Sequence, residues 1–521
     1  MKQNILSLLL VLLLQQLAFS QARFLKSYGL EAPLTSTLPP SNSISQINTL
    51  NGVVWIGTSK GVAKSVDGGA NWESFRTNAA FVNDGIFALD VTPGLVWSAT
   101  GYDKPVDGGT VQTGSGYTFS TDNGATWTHV GQTLDARGDS IVSYGINDSL
   151  WMLPVVVPEQ NVTFDASIFG DTVWIASWAS GLRKTTDHGQ TWIRIPLPPD
   201  DRNTLKPTDT LWTYKPTDTL QQHRIFQRFD PRKNNNFLAF SVLVLNDSTI
   251  WCGTAGGVNK SVDGGKSWTK FSHQNQIAGI LGNWVIAIKE QASISRLWTT
   301  NWKASDPQEQ YGVSYTDDGG ISWSNLLHGI KAYDLAFKDS VAYIATDDGV
   351  YRTSDGGLSF SIASSFSDPS TRQSISSSQV FSVDVIGDTV LVGTGDGLVT
   401  TIDNSTNQFG SSWKIYRSYQ KVGTTGTSYA YPNPFAPNQG VSRIHYFATG
   451  QSTTSVNIDI FDFGMNRVRT VVHNAERASN AEYDEQWDGR DDDGKIVANG
   501  VYFYRIKLDG GELFGKILVL Q

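Results

Sequence analysis

The acidic side chains near the longest insertions of this sequence have the clearest chemical potential. Asp103, Asp107, Asp135, Asp139 and Asp306 lie in or beside those insertions. Two carboxylates facing one cleft are what hydrolysis of a glycosidic bond requires, and spacing alone leaves open which of the five converge. Trp178 and Trp302 stand four residues beyond Trp174 and Trp298, where related segments carry Ser59, Gly101 or Ala255. Their rings suit stacking on a sugar or packing on a protein, or else filling space beneath long loops. Tyr102, Asp103, Arg183, Asn301 and Asp306 are the polar binding candidates beside them. Other chemistries find little support. Cys252 is the one cysteine and follows Trp251 in an apolar run, so it reads as a buried, inert thiol. Seven His make no metal pattern, and no nucleophile triad or phosphate loop stands out. No catalytic residue, metal or cofactor is assigned, and a net charge of −9 gives no footprint for nucleic acid.

These candidates hang on a repeat. Val53–Thr58 leads to Ser65, Asp67, Gly69 and Trp72, and Thr249–Thr254 leads to Ser261, Asp263, Gly265 and Trp268. Thr172–Ser177 leads to Thr185, Asp187, Gly189 and Trp192; Leu95–Trp97 leads to Ser120, Asp122, Gly124 and Trp127. Arg296–Trp298 leads to Thr316, Asp318, Gly320 and Trp323. A sixth copy ends on Thr353, Asp355, Gly357 and Phe360, and a seventh breaks up between Asp403 and Trp413. Ten of the 17 Trp occupy two equivalent positions, which marks them as packing. Short apolar or alternating runs between Gly/Asp turns are strands. Four strands per unit and about seven units predict an all-β chain, a β-propeller over residues 43–417. Runs at Ile141–Val157 leave room for an eighth blade.

The Ser/Thr-x-Asp-x-Gly-x-x-Trp signature resembles the Asp-box (BNR) repeat of sialidase-like and sortilin-like propellers. It implies hairpin turns in which Asp accepts backbone N–H bonds, so Asp67, Asp122, Asp187, Asp263, Asp318 and Asp355 are expected to be structural. The Trp-x-Gly-Thr-x-x-Gly-Val stretch also resembles the periplasmic sensor propellers of hybrid two-component regulators, in blade shape alone. A sialidase would add an arginine triad, a Tyr–Glu pair and a Phe-Arg-Ile-Pro motif. Ile193–Pro196 is the nearest match to that motif and follows the third box.

Residues 418–430 read as a linker. Beyond it, Tyr431–Phe435, Trp487–Gly494 and Gly500–Tyr504 sit among five to seven strand-like runs, as in an immunoglobulin-like sandwich. Residues 431–521 resemble the C-terminal sorting domain of the type IX secretion system and the Ig-like domain of flagellar hook-capping proteins. The resemblance implies recognition by a secretion machinery. Asp488, Asp491 and Asp493 read as a hairpin turn rather than a calcium loop. At the other end, Met1–Asn4, the apolar Ile5–Leu14 and Ala18–Ser20 read as a signal peptide over residues 1–20, with a lead-in at 21–42. Export to the cell surface or medium is expected, with no transmembrane segment in the mature chain.

Strand parity places the Asp boxes on one face of the propeller and the insertions on the other. The Trp-to-Trp spacing is 17, 18 and 17 in three units but 30 for Trp97–Trp127 and 25 for Trp298–Trp323. Both additions fall between the second and third strands, at Tyr102–Ser115 and Trp302–Gln310. The long segments Val130–Thr163, Pro196–Asn236 and Ala363–Gln379 emerge on that same side. A rigid scaffold with one elaborated rim predicts recognition of an extracellular protein or glycan without catalysis. The alternative is a sialidase-like or xyloglucanase-like hydrolase with paired acids on that rim.

Overall fold

The computed structural model describes residues 38–76, 78–81, 84–210, 229–370, 373–375, 377–418, 428–438, 440–450, 452–479 and 481–520. The expected signal peptide, most of the lead-in and most of the linker lie outside them. Among these residues the chain is strand, turn and three-residue 3-10 helix. None of its helices is long and apolar enough to cross a membrane. Two compact units are formed, one by residues 38–366 and 374–418, the other chiefly by residues 428–520.

The first unit is a β-propeller. Its first blade runs Ile44–Leu50, Val53–Thr58, Gly61–Ser65 and Glu73–Ser74, each strand antiparallel to the next. Seven sheets of this kind occur among the described residues, the fourth carrying Thr204–Leu205 as an additional outer strand. Their inner strands are Ile44–Leu50, Gly85–Thr92, Thr163–Phe169, Ala239–Val244, Trp284–Gln291, Ala332–Lys338 and Val380–Ile386. Each touches the next, and the seventh returns to the first. The runs at 141–157 yield one hairpin, Ile141–Tyr144 with Asn147–Trp151, paired to no blade.

Aromatic packing between blades accounts for the Trp content. In six blades the turn aromatic lies against the second-strand aromatic of the blade before it. Trp127 meets Trp55 edge-on at 6.3 Å, and Trp192 meets Trp97 at 6.2 Å. Trp268 shares a core with Trp174, Trp323 with Trp251, Phe360 with Trp298 and Trp413 with Tyr343. Trp72 completes the circle against Leu391 of the seventh blade.

The second unit packs a three-stranded sheet on a four-stranded one. Ile444 and Tyr446 from the first interlock with Ile458, Ile460, Tyr504, Ile506 and Ile517 from the second. Trp487 closes one end of this core between Phe435 and Tyr502. In the turn after it, Asp491 accepts the N–H groups of Asp493 and Lys495, and Asp488 that of Arg490. These bonds close the turn with one oxygen each of Asp488 and Asp491.

Candidate functional site

On the elaborated rim, the Tyr102–Ser115 insertion is not a loop. It lengthens two strands into the ribbon Leu95–Val106 and Gly109–Ser120. Two glycines let this ribbon lie close to its neighbours. A Cβ on Gly116, whose φ is +121°, would stand 2.3 Å from the Val130 carbonyl oxygen, and one on Gly114 would stand 2.6 Å from that of Asn161. The 158–160 segment then docks along the ribbon through Gly114 N–H to Pro158 O and Gln160 N–H to Gln112 O. Strand alternation puts Tyr102, Lys104 and Val106 on one face and Asp103 on the other. Tyr102 and Val106 are exposed, while Lys104 pairs with Glu159 at 2.5 Å. Asp103 is half-buried.

The Trp302–Gln310 insertion is organised by a residue that sequence reasoning missed. Glu309 is buried and accepts the N–H groups of Ala304 and Asn283, together with the side-chain amides of Asn283 and Gln274. A Glu in a polar loop carries no pattern that would single it out. Asp306 is half-buried beside it. The Gln308 N–H and the Gln274 amide hold its carboxyl below the usual range.

Four binding candidates are corrected by their burial. Trp178 packs on both Phe240 and Trp284, with ring centroids at 5.2 and 6.0 Å. Trp302 donates its Nε1–H to Ala332 O at 2.8 Å and packs on Tyr333. Both rings fill space beneath the rim, where burial of a large apolar surface outweighs exposure to a partner. Asn301 is fully buried and donates to Gly282 O. Arg183 is 2 % exposed and grips Asp135 with two bonds of 2.8 Å. Burial alone would raise the Asp135 pKa, but the Arg183 bonds and charge outweigh it and hold the carboxyl low. Arg194 takes Asp139 at 3.0 Å. The crevice beside Arg183 and Ser180 holds only about 10 Å³, the space of one water.

The six box turns share one hydrogen-bond set. In the fourth blade Ser261 Oγ donates to Asp263 Oδ1 and accepts the Gly265 N–H. Asp263 also accepts the Ser267 N–H and hydroxyl. Asn71, Thr126, Thr191, Ser322 and Ser359 fill the Ser267 place in the other turns, a position the sequence signature left open. Hydrogen bonds from Thr126, Thr191 and Ser322 draw Asp122, Asp187 and Asp318 down to about 2. Oxygens engaged in this way organise a turn. The incomplete seventh copy differs, for Asp403 receives Tyr343 Oη–H and Arg352 of the preceding blade.

The central channel is the second place where functional groups meet. It encloses about 180 Å³ and is lined by all seven inner strands. Each of these strands carries a bulge at one level, centred on Ser45, Phe87, Phe164, Phe240, Ile286, Tyr333 and Phe381. Beyond this largely aromatic collar lie Asp90, Asp165, Asp334 and Asp384, with Lys289 bonded to Asp334 at 2.7 Å. Burial pushes Asp165 up to about 7 and Asp90 and Asp384 up to about 6. Burial opposes the Lys289 charge too, but Asp334, Asp384 and Asp165 more than restore it. The sequence held a signal here, a lone Asp inside apolar runs such as Ile86–Val91 and Val380–Val385. Among the described residues no group of three or more His, Cys, Asp or Glu is arranged to hold a metal ion.

No family model matches the chain, and no curated protein matches it. Among solved structures, it is similar to PorZ, an essential surface component of the type-IX secretion system of Porphyromonas gingivalis. The identity is 14 % over 92 % of this chain and 66 % of that one, with a TM-score of 0.38; the chain thus spans about two thirds of PorZ. It is similar to YCF48 from Cyanidioschyzon merolae at 16 % identity, over 70 % of this chain and 96 % of that one, with a TM-score of 0.41. It is also similar to the GH74 enzyme of Niastella koreensis at 15 % identity, over 94 % and 74 %, with a TM-score of 0.48. Such identities carry no activity across. The propeller rests on its own strand pairing.

Proposed function

We propose that this chain is an exported, non-catalytic propeller that recognises an extracellular protein or glycan through its elaborated rim. Residues 431–521, read as an immunoglobulin-like domain, serve as its address for a surface secretion machinery. The observation that carries this reading is the Leu95–Val106/Gly109–Ser120 ribbon. It is a two-stranded platform braced by residues 158–160, presenting Tyr102 and Val106 to solvent beside the Lys104–Glu159 pair. Rigid aromatic and apolar side chains next to a charged pair suit binding without large ordering cost. The rim carboxylates Asp135 and Asp139 are engaged by arginines, an arrangement suited to holding loops.

The purified chain, applied to glycan and surface-protein arrays, is expected to give a ligand whose affinity falls at least about tenfold in Tyr102→Ala, with unfolding unchanged. Equal binding by wild type and Tyr102→Ala overturns the assignment of the ribbon. Turnover of a glycoside substrate that is lost in Asp103→Asn or Asp306→Asn would replace the binding reading with the hydrolase one.

A further inference from the structure

The inner strand of a blade is a sheet edge, and its outward N–H and C=O groups have no further strand to pair with. Here the channel side chains bridge from blade to blade. Ser45, Gln46 and Asn48 donate to Ile86 O, Phe87 O and Leu89 O of the second blade. Asp90 accepts Ile168 N–H of the third, and Asp165 and Ser167 accept Val242 and Val244 N–H of the fourth. Ser241 donates to Val285 O of the fifth, and Lys289 pairs with Asp334 of the sixth. Asp334 accepts Val383 N–H of the seventh. Ser382 and Thr49 then join the seventh blade to the first, through Ile44 O and Val385 O. Every junction of the ring is therefore crossed by a channel side chain.

Those crossings carry an excess of negative charge. The charged groups facing the channel are Asp90 on the second inner strand, Asp165 on the third, Lys289 on the fifth, Asp334 on the sixth and Asp384 on the seventh. The first and fourth inner strands add Gln46, Asn48 and Ser241, which are neutral. One ammonium thus faces four carboxylates in a confined space.

We propose that this channel is an acid-strengthened lock on the propeller, in which proton uptake relieves the cost of holding four carboxylates against one ammonium in a confined space and so favours the closed ring. The direction follows from linkage. A carboxyl that binds its proton more tightly folded than unfolded favours the folded ring while protonated, and that contribution is lost as pH rises through the folded value. Asp90, Asp165 and Asp384 all titrate upward of the ordinary carboxylate range, so the window lies between about pH 5 and about pH 8.

The test is thermal unfolding of the full chain from about pH 8 to about pH 5, followed by Trp fluorescence. All Trp but Trp487 lie in the propeller region, so the signal reports that unit. The midpoint is expected to rise on acidification. Asp165→Asn is expected to raise the midpoint at the alkaline end by about 2 °C or more and to flatten the dependence. Lys289→Met is expected to lower it there and steepen the dependence. Potentiometric titration of folded and urea-unfolded wild type supplies a reading that needs no variant, with the folded chain expected to hold more protons near about pH 6. A midpoint that is flat or falls on acidification overturns the lock, as does Asp165→Asn destabilising equally at every pH. Equal proton content in the two states overturns it as well.

Discussion

Ser261 shows what a single buried hydroxyl does in this chain. Its Oγ accepts the Gly265 N–H while its O–H donates to Asp263, so turn and carboxylate are set together. Ser261→Ala leaves a buried N–H without its acceptor, and a loss of about 1–3 kcal/mol is expected in urea unfolding. Trp302 and Tyr102 make the opposite pair. Both are aromatic rim candidates by sequence, but one is buried and the other exposed. Trp302→Ala is expected to cost about 3–5 kcal/mol through the cavity it opens, whereas Tyr102→Ala should leave stability unchanged and lower ligand affinity alone. Chemical denaturation of the two variants side by side checks the contrast. These side chains could not be told apart in the sequence because exposure depends on what stands over the ring. For Trp302 that is Tyr333, contributed by the next blade.

Among the elements, the segment from Val130 to Thr163 carries a buried ion pair to the third blade. Asp135 of this segment accepts two bonds from Arg183 of the third blade, one on each oxygen, and also accepts Val155 N–H. Replacing Asp135 by Asn leaves the Arg183 charge buried without its counter-ion. A loss of about 3–5 kcal/mol is expected in denaturant unfolding, and Arg183→Met in the same chain should recover part of it. Periodicity and turn chemistry made the blade strands legible, since each strand depends on its immediate neighbours. The Trp97–Trp127 spacing places added residues between the second and third strands without giving their conformation, and Thr110–Ser115 holds three hydroxyl residues and Gly114, turn formers in isolation. Pairing with Gly101–Pro105 and support from residues 158–160 make it a strand.

For the whole molecule, two sets of carboxylates pull stability in opposite directions with pH. The box aspartates titrate below their ordinary value, several near about 2, so their contribution is present above about pH 4 and lost as pH falls through that lower value. The channel aspartates titrate above it, so theirs is greatest in mild acid and lost as pH rises through about 6 to 7. Stability of the propeller is expected to peak near about pH 5, between the two windows. Thermal midpoints measured in steps of pH across that range check the position of the maximum, and a peak above about pH 7 would contradict it.

The sequence by itself determined the repeat, the strand character of each run and the chemistry of the box turns. Those properties arise from residues a few positions apart, where spacing and side-chain type suffice. Only the tertiary structure decided which rim aromatics stay exposed, that Arg183 meets Asp135, and that Asp90, Asp165, Asp334 and Asp384 converge on Lys289. Lys289 and Asp90 are nearly two hundred residues apart in the chain. They are neighbours because seven twisted blades close on one axis and turn their inner strands toward it.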